Sequence, residues 1–166
     1  MTLARRLSPL LAVALLFAGC APAATGTSPG TPYPIESSAI ATTAGATVYV
    51  QAHFTFDDFK IDPTKLKGAL WVPSGYNAES AVLTTKFSLA QVRVPAGWSM
   101  KLVQVQATRT TVEGPKSFSK PTKDYTLSVL LAVTAKDGAV AGPYHLHATL
   151  DYQKQSKPLR VDLHVG

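Results

Sequence analysis

From position 45 to the end of the chain, apolar and polar residues alternate with a period of two. That period sends successive side chains to opposite faces of a strand, whereas a helix would repeat near 3.6. "ATVYVQAHFTF" (46–56) sets Val48, Val50, Ala52, Phe54 and Phe56 on one face, with Tyr49, Gln51, His53 and Thr55 on the other. "GALWV" (68–72) predicts a short strand ended by Pro73, and "AVLTTKFSLAQVRV" (81–94) predicts one long strand or two short ones. "MKLVQVQATRTTV" (100–112) directs Val103, Val105 and Ala107 inward, and Gln104, Gln106 and Thr108 outward. "DYTLSVLLAVTA" (124–135) is apolar on both faces at Leu130 and Leu131, which predicts a central strand. "YHLHATLDYQ" (144–153) and "PLRVDLHV" (158–165) end the pattern, with Leu146, Ala148, Leu150, Tyr152, Leu159, Val161, Leu163 and Val165 inward.

Turn signals separate these runs at "VPSG", "VPAG", "KDG" and "QSKP". Seven to eight short strands over residues 45–166 predict an all-β domain, an antiparallel immunoglobulin-like β-sandwich. A small barrel is the alternative. The antibody-type pair of core cysteines is missing, so the pattern leaves strand order open.

Upstream the alternation stops. In "APAATGTSPGTPYPIESSAIATTA" (21–44), every residue except Tyr33, Ile35, Glu36 and Ile40 is Ala, Pro, Gly, Ser or Thr. So little apolar surface does not offset the entropy of ordering a chain. Residues 20–44 therefore read as a flexible tether, with an edge strand over Ile35–Ala44 as the alternative.

Residues 1–19 have three zones. "MTLARR" is basic, "LSPLLAVALLF" is apolar, and small residues then precede Cys20. This is the layout of a secretory signal peptide. The apolar run is too short for a spanning helix, which takes about 20 residues. Phe17-Ala18-Gly19-Cys20, with Leu16 before it, resembles the lipobox of bacterial lipoproteins, although Phe17 stands where Leu is preferred. The resemblance implies a diacylglycerol thioether on Cys20, cleavage before it and acylation of the new amino terminus. It also implies an extracytoplasmic protein held at the cell envelope. Ala21 stands where an Asp would favour inner-membrane retention, so the outer membrane is expected in a diderm cell. The competing reading is a secreted protein with an incidental free thiol. Cys20 is the only cysteine, and a lone exported thiol is exposed to oxidation unless it is consumed.

The run "YTLSVLLAVTAKDGAVAGPYHLHATLDYQ" (125–153) resembles the last strands of the periplasmic immunoglobulin-like domain of the DsbD thiol-disulfide reductase family. That family has a Tyr-Gln at a similar hairpin, matched by Tyr152-Gln153, and a redox cysteine pair nearby. This chain has Lys154, Gln155 and Ser156 after it and no cysteine in the domain, so the resemblance implies the fold without the redox chemistry.

The formal charge is +6, and without Arg5 and Arg6 it is +4. The basic residues are interspersed with acidic ones except in "EGPKSFSKPTKDY" (113–125), where Lys116, Lys120 and Lys123 fall. A diffuse charge of this kind gives solubility rather than a nucleic-acid stripe, so no nucleic-acid partner is expected. The lysine loop reads as solvated, or as a contact for acidic polymers or headgroups.

Nucleophilic catalysis lacks its parts: the cysteine is assigned to lipid, and no Ser is flanked by an obvious base. No catalytic residue is assigned. Asp57, Asp58 and Asp62 form the one acidic cluster, which lacks the glycine and terminal glutamate of a calcium loop and reads as a turn. Tyr76 and Trp98 follow two similar Pro-x-Gly turns. They cap the core or, alternatively, stack on a glycan or protein partner. His145 and His147 share the outward face of one predicted strand, and His164 lies outward on the next. Pairing Leu150 with Val161, or with a neighbour two residues away, would bring His164 beside one of them. Three imidazoles so placed suit zinc or copper. His53 is a fourth outward histidine.

The expectation is an envelope lipoprotein, anchored to the membrane by lipid, with a non-enzymatic β-sandwich that binds an envelope protein or glycan or serves structurally. The covalent lipid on Cys20 is the only expected group. The alternative is a metal-binding envelope protein that uses His145, His147 and His164, with zinc or copper as its cofactor.

Overall fold

The computed structural model describes residues 26–37, 40–66, 68–112 and 121–166. Ten strands follow in chain order: β1 (Tyr33–Pro34), β2 (Ile40–Thr42), β3 (Thr47–Thr55), β4 (Val72–Gly75), β5 (Ala78–Val82), β6 (Ser88–Arg93), β7 (Ser99–Val112), β8 (Thr122–Thr134), β9 (Gly142–Tyr152) and β10 (Gln155–Val165). They form a six-stranded sheet, β1-β3-β8-β7-β5-β4, and a four-stranded sheet, β2-β10-β9-β6. The inward faces of the two sheets enclose the core, as a β-sandwich does. The only helical pieces among the described residues are three short 3-10 turns, Asp57–Phe59, Pro63–Lys65 and Thr84–Lys86.

The alternation pattern corresponds closely to burial. Val48, Val50 and Ala52 on β3, every second residue from Leu127 to Val133 on β8, and the predicted inward residues of β9 and β10 are all buried. β8 is central in its sheet, as its two apolar faces require. The stretch 81–94 is two strands in different sheets, with the Thr84–Lys86 turn carrying the chain across. Leu83 plugs the core at that crossing, and the Val105 amide donates to Thr84 Oγ1 at 2.9 Å.

The alternation misleads at four places, each with a local cause. A bulge between Leu102 and Gln104 inserts one residue, so Leu102 takes the inward place expected of Val103, which is exposed. The strand expected at 68–72 begins instead at Val72 and includes Pro73, which is tolerated because β4 is a sheet edge. "VPSG" is therefore strand, and the turn falls at Tyr76-Asn77, where Asn77 has φ 53°. "QSKP" is also strand. The β9–β10 hairpin turns on Gln153-Lys154 alone, with Gln153 at φ 52°.

The span read as a tether contributes two strands. β1 pairs in parallel with β3, and β2 pairs in parallel with β10, Ile40 opposite Leu163 and Thr42 opposite Val165. The edge strand expected as the alternative over Ile35–Ala44 is realised in part by β2. Ile40 is fully buried, and the Tyr49 amide already donates to Gly26 O at 2.6 Å. The low apolar content of the span is offset by the pairing of its backbone groups with strands formed elsewhere. These two edge pairings also make both sheets mixed rather than wholly antiparallel.

Candidate functional site

Cys20, residues 1–19 before it, Lys116 and Lys120 lie outside the described residues. Among the described residues no helix is long and apolar enough to cross a membrane. Lys123 begins β8 and, with Phe56, Asp57, Ile61 and Tyr125, lines a cleft of about 440 Å³ at one end of the sandwich.

His145, His147 and His164 lie on the outward face of the four-stranded sheet. The two-residue hairpin turn sets the register: Leu150 faces Lys157, and Leu146 faces Val161. Pairing Leu150 with Val161, or two residues to either side, would have needed the longer turn that "QSKP" suggested. His164 therefore sits opposite Pro143 and only diagonal to His145, while His147 sits opposite Arg160. The partner of His145 is Asp162, with Nδ1 2.7 Å from Oδ1. Among the described residues no three His, Cys, Asp or Glu side chains are grouped to hold a metal ion. His53 is on the other sheet, with Nδ1 3.3 Å from Ser128 Oγ.

Asp162 is the electrostatic centre of this face. The Arg160 Nε–H donates to Oδ1 at 2.9 Å, and this bond, followed by the one from His145, holds the Asp162 carboxyl below its usual 3.8. Asp58 is lowered as well, first by the backbone and hydroxyl of Thr55 and then by Lys157. A carboxyl lowered in the folded state adds stability above its ordinary value, and that stability is lost as pH falls through the folded value. Asp162→Asn should therefore cost up to about 0.5 kcal/mol near pH 5, because the pair is substantially exposed and screened. Urea denaturation should show that difference closing at about pH 2. A gap that persisted there would assign the loss to packing instead.

The two aromatic loop residues part company. Tyr76 is 91 % exposed at the β4–β5 turn. Trp98 is buried, its ring centroid 4.6 Å from that of Tyr144, so it caps the core. The three aspartates are not one cluster. Asp58 accepts from the Thr55 amide and hydroxyl, and Asp62 accepts from the amide and hydroxyl of Thr64.

No family model, curated protein or solved structure matches this chain.

One group escaped the sequence reading. The Arg109 guanidinium lies 4.5 Å from the ring centroid of Trp71, and its Nε–H donates to Glu79 Oε2 at 2.6 Å. Tyr125 packs edge-on to Trp71 and beside Phe56. The bond from Arg109 holds Glu79 below its usual range. Arg109 follows Val105 and Ala107 on the inward face of β7, at the sheet end that carries Trp71 and Tyr125. Its place in the alternation was the available signal. Its partners come from β5, β8 and a loop, and only the pairing of strands assembles them.

Proposed function

We propose that this chain is a lipid-anchored lipoprotein of the cell envelope, with its β-sandwich serving as a non-enzymatic binding or structural module. The observation that carries the reading is the placement of Cys20. It is the only cysteine, and it directly follows a basic and apolar leader and the small pair Ala18-Gly19. Two or three acyl chains at such a residue form a stable membrane anchor, which one chain does not. The chain after Cys20 holds no thiol, which supports a role without thiol-disulfide chemistry.

The fold changes the geometry of this anchor. Six peptide steps separate Cys20 from Gly26, where the chain is already bonded to β3. Six steps reach at most about 20 Å. The module is therefore held against the envelope surface rather than on a long leash.

Cys20→Ser tests the reading. The wild type should incorporate labelled palmitate and migrate as the processed form. The variant should take up no label and accumulate as precursor. Equal processing and release of both proteins, with no lipid on either, would overturn the proposal.

A further inference from the structure

A row of three basic side chains crosses the outward face of the four-stranded sheet. His147 on β9 is directly opposite Arg93 of β6 on one side and Arg160 of β10 on the other. Adjacent strands lie about 4.8 Å apart, so the backbone positions of Arg93 and Arg160 flank that of His147 within about 10 Å. Positive charge gathered on one face favours an anion beside it. The acidic neighbour, Asp162, engages Nε of Arg160 and Nδ1 of His145. Arg93 and His147 have no hydrogen bond or ion pair among the described residues.

A backbone irregularity creates the row. Leu89 and Ala90 face Leu150 and Thr149, but Arg93 faces His147, so β6 carries one extra residue between Ala90 and Arg93. Under strict alternation Arg93 would share the inward side of Leu89. The bulge turns it outward, at the expense of a left-handed backbone at Gln91 (φ 48°), a conformation a non-glycine residue resists. Beside the bulge is a hollow of about 290 Å³ lined by Gln91, Arg93, His147, Thr149 and Pro158. Thr149 Oγ1 is the one side-chain polar atom among the described residues that is buried without a hydrogen-bond partner. Such an atom is costly to leave unsatisfied.

We propose that this hollow binds a phosphate group. The guanidinium of Arg93 lines the hollow and presents a planar fork suited to phosphate oxygens, and Arg160, opposite His147 and outside the lining, adds positive charge beside it. The His147 ring N–H and the Thr149 hydroxyl supply further donors. Donors converging from β6 and β9 suit the several exposed oxygens of a phosphate. Binding would set an anion beside Arg93 and Arg160 and, with the Thr149 side chain turned toward the hollow, give its Oγ1 a partner. The site goes beyond the anchoring role and does not depend on lipidation of Cys20.

The test uses the full chain in a non-ionic detergent, titrated with inorganic phosphate and followed on the His147 ring protons by NMR. A saturable shift is expected. Its Kd should rise roughly tenfold in Arg93→Gln, as a charge-assisted bond is lost, and about threefold in Arg160→Gln, which removes a charge beside the hollow. It should rise about threefold in Thr149→Val, whose melting temperature should stay the same or increase. Lys101→Gln, on the other sheet, should bind as the wild type does. A second arm places the chain in phosphatidylcholine vesicles with or without phosphatidylglycerol, so that any anchor acts equally in both. A shift with inorganic phosphate identifies a free phosphate ligand. A shift seen only on phosphatidylglycerol, and abolished by Arg93→Gln, identifies a lipid headgroup. The proposal is overturned if neither arm shifts His147. It is also overturned if Lys101→Gln weakens binding as much as Arg93→Gln, since net charge alone would then explain it.

Discussion

Ile40→Ala is expected to destabilise the domain by about 2–4 kcal/mol, the range for emptying a fully buried Ile site. Ile40 is wholly inaccessible and belongs to the same core cluster as Leu163, its partner across the β2–β10 ladder. The alanine would remove the apolar contacts and leave a cavity that β10 cannot close without disturbing its pairing with β9. Ala41→Ser, one residue along and exposed, should stay within about 0.5 kcal/mol. The pair of variants, compared by urea denaturation, separates a docked strand from a passing linker. A loss for Ile40→Ala no greater than that of Ala41→Ser would mean the segment is not part of the cooperative fold.

Phe59→Ala should cost more, about 3–5 kcal/mol. Phe59 is 1 % exposed and is the hub of an aromatic cluster. Its ring centroid lies 5.3 Å from Phe54, 5.4 Å from Phe87 and 6.5 Å from Tyr152, each pair edge-on. Edge-to-face pairs add about 0.5–1.5 kcal/mol each beyond the area they bury. The Asp57–Phe59 turn delivers the ring inward, and Lys60 ends that turn at φ 51°. Phe59→Leu should recover much of the loss, because it restores volume without the quadrupole. Should Phe59→Ala melt within a degree or two of the wild type, the cluster would not be a folding element.

The Phe59 and Asp58 environments show how far one stretch can mislead. "FDDFKIDPTK" reads as a polar loop, and its charged residues are indeed outside. Yet Phe56, Phe59 and Ile61 from the same stretch are buried. Alternation already directs Phe56 inward, but the 3-10 geometry after it breaks both the period of two and the period of 3.6, so neither template detects Phe59 or Ile61. The outward face of the four-stranded sheet was legible only in part. The outward direction of His145, His147 and His164 follows from alternation. Which residues stand opposite them depends on a hairpin whose turn carries no Gly, Asn or Asp, the residues that mark a left-handed position. Gln153 occupies that position instead. Arg93 was assigned no direction, because a bulge at Gln91 leaves no mark in a polar and apolar pattern.

By itself the sequence determined the all-β class, the inward residues of the long strands β3, β9 and β10, the central place of β8, and the place of the single cysteine after an apolar run. Those are local properties: side-chain direction along a strand follows from the backbone, and a leader is read from its own composition. Tertiary structure alone decided the sheet order, the docking of β1 and β2, the pairing of His145 with Asp162, and the alignment of Arg93, His147 and Arg160. Each of these depends on which backbone groups find partners far along the chain. That choice is made by the packing of the two sheets as a whole, and a bulge or a two-residue turn is enough to move an entire face past its neighbour.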